Sequence, residues 1–135
     1  MAKESGLGMA VAVDDVGGNA RTISNDITNL NWEVPSEVVD ITGINRSGYE
    51  RLLTLVDFTI ALNGITNFAT NMSHAVFKDI GVTSVIRTVT ITHSGQILET
   101  EDFINEYVVQ RTANGARTWS ATGILAETVV PAWTT

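Results

Sequence analysis

The side chains that could do chemistry in this chain are few, and their spacing does not converge on a reaction. Two histidines are present, His74 and His93, and neither stands one helical turn from another ligand, as a zinc-binding pair would. Ordinary structural roles are the better reading for both. Ser73 precedes His74 directly, but a nucleophile and its base meet through residues distant in sequence, and no G-x-S-x-G elbow occurs. Four carboxylates, Glu99, Glu101, Asp102 and Glu106, lie close together. Glycoside hydrolysis needs two carboxyls about 5 to 9 Å apart across a cleft. Strand alternation instead puts Glu99 and Glu101 on the same face of one strand, which favours a solvated surface. Gly6 with Gly8, and Gly17 with Gly18, lack the lysine and following helix of a phosphate loop. With no cysteine, disulfides, thiolate chemistry and Cys-based metal sites are all unavailable. The expectation is a protein that is not an enzyme, with no catalytic residue, metal or cofactor.

The bulk properties narrow the partners. A length of 135 residues fits one domain with a real core. Fifteen acidic against eight basic residues give a net charge of −7, with no Lys/Arg cluster to grip phosphates. Sequence-independent nucleic-acid binding is therefore disfavoured. The apolar run Leu7 to Val13 is too short for a signal peptide, and no stretch reaches the ~20 apolar residues of a membrane helix. No membrane insertion is expected, and the sequons at Asn45 and Asn71 carry no weight.

The elements that must position these residues are mostly strands. Leu7 to Val13 reads as a first strand, ended by the turn formers Asp14, Asp15, Gly17, Gly18 and Asn19. Ile27 to Val34 alternates, with Leu30, Trp32 and Val34 on one side, and Pro35 closes it. Phe68, Met72, Ala75, Val76 and Ile80 recur at intervals of three and four. That spacing predicts an amphipathic helix from about Phe68 to Ile80, with Asn67 as N-cap, Lys78 in the last turn and Gly81 as the stop. Val85, Val89, Ile91 and His93 then share a face opposite Thr88, Thr90 and Thr92. Ser94-Gly95 permits a turn into Gln96 to Thr100. Phe103 to Arg111 and Arg117 to Leu125 flank Asn114-Gly115, a pair suited to a tight hairpin. The class expected is mainly β: a β-sandwich, small and barrel-like, with one flanking α-helix.

The segment Val39 to Gly64 is the most suggestive of function. Val56, Phe58, Ile60 and Leu62 alternate with Asp57, Thr59, Ala61 and Asn63, the period of a half-buried strand. Ahead of it, the long loop 35–53 interleaves Arg46, Tyr49, Glu50 and Arg51 with Ser47 and Gly48, residue types that make contacts at protein interfaces. Trp32 and Trp119 sit in alternating strands, where core packing is the usual role. Trp133 belongs to an apolar C-terminal arm, 127–135, with no strand partner evident in sequence. Docking on another subunit and a disordered end are the two readings it leaves.

Taken in order, several short motifs resemble a known family. They are Asp26-Ile27-Thr28, then Glu37-Val38-Val39-Asp40-Ile41-Thr42-Gly43, then Gly48-Tyr49-Glu50-Arg51-Leu52-Leu53, then the Val-Asp-Phe-Thr strand closing in Leu62-Asn63-Gly64. Glu101-Asp102-Phe103-Ile104-Asn105-Glu106-Tyr107 and Thr118-Trp119-Ser120-Ala121-Thr122-Gly123 follow. Together they resemble the major tail tube proteins of long-tailed phages and gene transfer agents, over nearly the whole chain, 1–135, as a single tail-tube domain. The resemblance implies the phage tail tube fold: six-fold rings of identical subunits, stacked into a hollow tube that conducts the genome into the host. It implies Arg46, Tyr49, Glu50 and Arg51 at inter-ring contacts and Trp133 against a neighbouring subunit. Asp57, Glu99 and Glu101 would face the lumen, which DNA crosses without specific binding. The implied partners are further copies of the chain, a tape-measure protein, a tail terminator and baseplate or distal tail proteins. The implied location is the virion tail, assembled in the cytoplasm of a bacterial host. Two rival readings stand beside it: a β-sandwich receptor- or carbohydrate-binding module, and the inner tube protein of a contractile injection system.

Overall fold

The computed structural model describes residues 8–80, 85–126 and 131–134. Strands dominate them: β1 (Ala10–Asp14), β2 (Ala20–Thr22), β3 (Ile27–Glu33), β4 (Ser36–Asp40), β5 (Arg51–Val56), β6 (Thr59–Ile65), β7 (Arg87–His93), β8 (Gln96–Arg111), β9 (Arg117–Leu125) and β10 (Trp133–Thr134). One α-helix, α1 (Ser73–Phe77), lies between β6 and β7. The mainly-β expectation holds.

Eight strands form one antiparallel sheet in the order β2-β1-β7-β8-β9-β6-β3, with β10 added beside β8. The sheet doubles back on itself through β8, which runs for 16 residues and serves two layers. Its first half, to Asp102, pairs with β7, and its second half, from Asp102 to Arg111, pairs with β9. A register shift between Ile104 and Glu106 leaves Asn105 as an extra residue, a bulge that bends the strand. The two layers then close on one core. Val11, Val13, Val89, Ile91 and Leu98 come from the first layer, and Phe58, Ile60, Leu62, Trp119 and Ala121 from the second. Alternation in the sequence puts each of them inward, as half-buried strands require.

The tight turns follow sequence chemistry. Ser94 and Gly95 both take positive φ, at 51° and 78°, and Gly115 does so at 89°. The first pair makes a two-residue turn with both residues left-handed, whereas Gly115 alone is left-handed in the five-residue connection between Arg111 and Arg117. Sequence alternation treats Gln96 to Thr100 and Phe103 to Arg111 as two strands, whereas the fold joins them into one.

The helix is shorter than its apolar spacing predicts. Asn71 sits at a φ of 64°, and this left-handed residue interrupts the run before Ser73. Asn67 is not the N-cap. Its carboxamide oxygen instead accepts from the Ala69 amide, and its Nδ2 donates to Asp26 Oδ1 at 3.1 Å. The cap comes from far away in sequence: Asp26 Oδ2 accepts the Ser73 amide at 3.1 Å. Phe68 turns outward and is half-exposed, while Val76 and Phe77 enter the core. Gly81, the expected stop, lies outside the described residues.

Gly64 fixes how β6 meets the start of β3. A Cβ at this position would fall 1.7 Å from the Asp26 carbonyl oxygen and 2.9 Å from Trp119 Nε1. Backbone and a buried indole cannot both yield. Gly64→Ala is therefore expected to lower stability by at least about 3 kcal/mol in chemical denaturation. A change within experimental error would show that the β3–β6 junction is loose.

Candidate functional site: an exposed β-hairpin arm

The segment expected to be a long loop, 35–53, is largely a β-hairpin. β4 pairs antiparallel with β5 as a separate two-stranded sheet, with Val38 opposite Leu53 and Val39 opposite Leu52. The loop expectation is corrected by this pairing. The sequence hides the hairpin because Val38-Val39 and Leu52-Leu53 are adjacent apolar pairs. They give both faces apolar residues and leave no alternation to detect.

This hairpin projects as an arm. Leu53, Leu55 and Tyr49 are 67%, 74% and 77% exposed, and Val38, Ile41, Ile44 and Leu52 are exposed as well. At its root, the Asp57 amide donates to the Pro35 carbonyl at 2.9 Å, and Ser36 pairs with Val56. The tip is knotted around Thr42. Its hydroxyl accepts the Glu50 amide at 2.8 Å and lies against the Asp40 carboxylate, and the Ile41 amide donates to the Glu50 carbonyl at 2.9 Å. The Thr42 hydroxyl, with help from the Thr42 amide, holds the Asp40 carboxyl below the usual carboxylate range. Thr42 is a residue that type and spacing alone did not single out.

Four of the expected contact residues are brought together here. Arg46, Tyr49 and Glu50 lie in the connection at the tip, and Arg51 opens β5 with its guanidinium 4.7 Å from the centre of the Tyr49 ring. Trp133 lies elsewhere. β10 pairs with β8, placing Trp133 opposite Leu98 and its ring 6.2 Å from that of Trp32. The C-terminal arm thus has a strand partner in its own chain, contrary to the sequence expectation, at least over the described residues 131–134. Trp133 spans the seam between the layers and stays about half-exposed.

The expected lumen residues do not share one face. Glu99 and Glu101 point to solvent from the first layer, where Thr90 and Thr88 stand opposite them in register. Thr88 donates to Glu101 at 2.8 Å. Asp57 lies in the bend between β5 and β6, and its Oδ1 accepts the Phe58 amide at 2.7 Å.

Two buried charges were also not foreseen. Arg87 sits on the core face of β7 between apolar positions, 1% exposed, and donates to the carbonyls of Asp14 and Val76. It ties α1 to the β1–β2 turn. Asp102 is fully buried opposite Arg87 in register, yet no ion pair joins them; among the described residues the ion pair is Arg21 with Asp15 at 3.0 Å. Asp102 Oδ2 accepts from the Thr100 hydroxyl at 2.7 Å, and Oδ1 has no partner among the described residues. Burial, with Glu101 and Asp57 nearby, pushes its pKa up to about 6. Asp102 and Glu101 face opposite sides of β8, so these two carboxylates do not pair across a cleft. Among the described residues, no group of three or more His, Asp or Glu side chains could hold a metal. No described helix is long and apolar enough to cross a membrane. An open cleft between α1 and the β1–β2 turn is lined by Asp15, Arg21, Phe68, Thr70, His74 and Lys78, and Nδ1 of His74 lies 3.2 Å from the Tyr107 hydroxyl.

No protein-family model matches the chain, and no curated protein matches it in sequence. Solved structures do match. One chain from the virion of a native gene transfer agent particle shares 15% identity at a TM-score of 0.78, over 98% of this chain and all of that one. A chain from the tail of an empty gene transfer agent particle, solved with C6 symmetry, shares 16% identity at a TM-score of 0.80 over the same extent. The protein therefore shares its fold with those virion and tail chains.

The buried Asp102 gives stability a defined pH dependence. Its carboxyl ionises near 3.8 when unfolded and near 6 when folded, so the unfolded chain releases the proton first. The contribution of this group to stability therefore falls as pH rises from about 4 through 6, and is largest on the acidic side of that window. Asp102→Asn is expected to remove this slope and to raise stability at pH 7.5 by roughly 1–3 kcal/mol in thermal melts. A variant less stable than the parent at pH 7.5 would mean that the carboxylate is satisfied.

Proposed function

We propose that this chain is a structural virion protein, a tail tube subunit without enzymatic activity, that polymerises as stacked hexameric rings around a channel for the genome. The observation that carries the reading is the arm. A two-stranded hairpin standing alone in water is marginal at best, and one with both faces apolar needs a surface to cover it. The next ring of a stack supplies that surface at every level. The fold shared with a chain of a C6-symmetric tail supports the same reading.

Ring closure has edges to work with. β3 pairs only with β6, and the second half of β8 pairs only with β9, so this layer of four strands has an unpaired edge at each side among the described residues. A head-to-tail ring that joins β3 of one copy to the second half of β8 in the next removes both edges at once. Trp133, beside β3 and about half-exposed at the seam, would then meet the neighbouring subunit.

The solvent faces suit a channel that DNA must cross without sticking. One layer presents Thr88, Thr90, Glu99 and Glu101, and the other Asn29, Asn31, Asn63, Ser120 and Thr122. Neither face carries a lysine or arginine within its strands, so neither holds phosphates. In this reading the partners are further copies of the chain, with a tape-measure protein, a tail terminator and baseplate or distal tail proteins at the ends. The place of assembly is the bacterial cytoplasm, and the finished location is the virion tail.

Electron microscopy of the purified protein over a concentration series, with light scattering for mass, tests the reading. Rings or hollow filaments of constant diameter are expected. Arg51→Glu is expected to keep the monomer's melting temperature and abolish filaments, because it reverses a charge on the exposed arm. Filaments of unchanged yield would remove the arm from the interface.

A further inference from the structure

A run of hydrogen bonds and strand pairing connects the buried Asp102 to the root of the arm. Asp102 on β8 stands opposite Leu125 on β9, and the Leu125 amide donates to the Phe58 carbonyl at 2.9 Å. The Phe58 amide donates to the Asp57 carboxylate at 2.7 Å, and the Asp57 amide donates to the Pro35 carbonyl at 2.9 Å, where β4 leaves the body. On the next residue pair, the Ala126 amide donates to the Glu101 carbonyl at 2.9 Å. The unpartnered oxygen of Asp102 thus lies at the crossing between the layers, one strand away from the hinge of the arm.

The charged groups near Asp102 do not balance its charge. Its own strand contributes Thr100 as a hydrogen-bond donor and, on the opposite face, Glu101 as a second carboxylate, and the β5–β6 bend contributes Asp57. From β7, Arg87 stands opposite in register, but its guanidinium turns to the Asp14 and Val76 carbonyls. β9 contributes the apolar Leu125. A negative charge at Asp102 meets two like charges and an apolar wall.

We propose that Asp102 is a proton-responsive latch for the arm: uncharged, it lets the arm root seat against the β8 crossing, and charged, it repels Asp57 and Glu101 and loosens that root. The transition falls near pH 6, where burial places the titration. The acidic form is the seated one, because an apolar, closed crossing favours the uncharged carboxyl. The latch belongs to the single subunit, so it stands or falls separately from assembly into a tube.

Hydrogen exchange on the intact protein from pH 4.5 to 8, corrected for the intrinsic rate, tests it. Protection at the Asp57, Phe58 and Leu125 amides and along β4 and β5 is expected to fall roughly 5- to 10-fold above pH 6. The core amides of Ile60 and Leu62, which open only with the whole fold, should follow the pH dependence of the denaturation free energy and stay better protected than the root at every pH. Asp102→Asn should abolish the step and keep the root protected throughout, and Asp57→Asn should move the midpoint to lower pH. A flat profile at the root, root protection equal to that of the core at every pH, or a step that survives in Asp102→Asn overturns the proposal. If Asp102→Asn does not fold, Asp57→Asn decides, and an unmoved midpoint overturns it.

Discussion

The fold depends on one strand belonging to two layers. β8 leaves β7 and joins β9 at Asp102, and the bulge at Asn105 turns it just beyond. Every other placement follows from that bend. Gly123 faces it, where a Cβ would fall 2.9 Å from Ile104 Cδ1, so the partner strand has no side chain at the corner. The core faces of both layers come together only because the corner is this tight. A polar residue at the turning point cannot reach solvent, which is how a carboxyl comes to be buried among apolar neighbours.

The arm is the complement of that closed body. Inside the sandwich, apolar residues alternate with polar ones and are consumed by a single core. Outside it, Val38, Val39, Leu52, Leu53 and Leu55 crowd a hairpin that no other part of the described chain covers. Its order comes from short-range bonds, with Thr42 at the tip and Asp57 at the root. Such a hairpin is a stiff lever with little free energy holding it in place, so a small change at the root acts over its whole length.

The legible parts of the sequence were those with one buried face. Alternation marked the strands around Ile60, Ile91 and Trp119, and Asn114-Gly115 and Ser94-Gly95 marked their turns, because each signal is local. The helix was overextended because apolar spacing does not register a single left-handed residue such as Asn71. The arm's residues were noticed through their types, yet its strands were hidden because neither face is buried. Arg87 and Asp102 were missed for the opposite reason: an alternating pattern assigns positions inward but does not reveal that a charged residue occupies one of them. Trp133 was read as lacking a strand partner, since pairing between residues 133 and 98 leaves no local trace.

The buried charges bear on how specific the fold is. Replacing Arg87 and Asp102 by apolar residues of similar size would remove two desolvation costs, and buried charges of this kind often weaken a fold. Arg87 compensates by binding two backbone carbonyls that α1 and the β1–β2 turn would otherwise leave without donors. Asp102 makes one hydrogen bond, to the Thr100 hydroxyl, and its Oδ1, like Nη2 of Arg87, has no partner among the described residues, while Glu101 and Asp57 repel its charge. A residue that costs stability and contributes no structural bond beyond one threonine hydroxyl is better explained by what its ionisation changes. In this molecule the element one strand away, with the least holding it in place, is the arm.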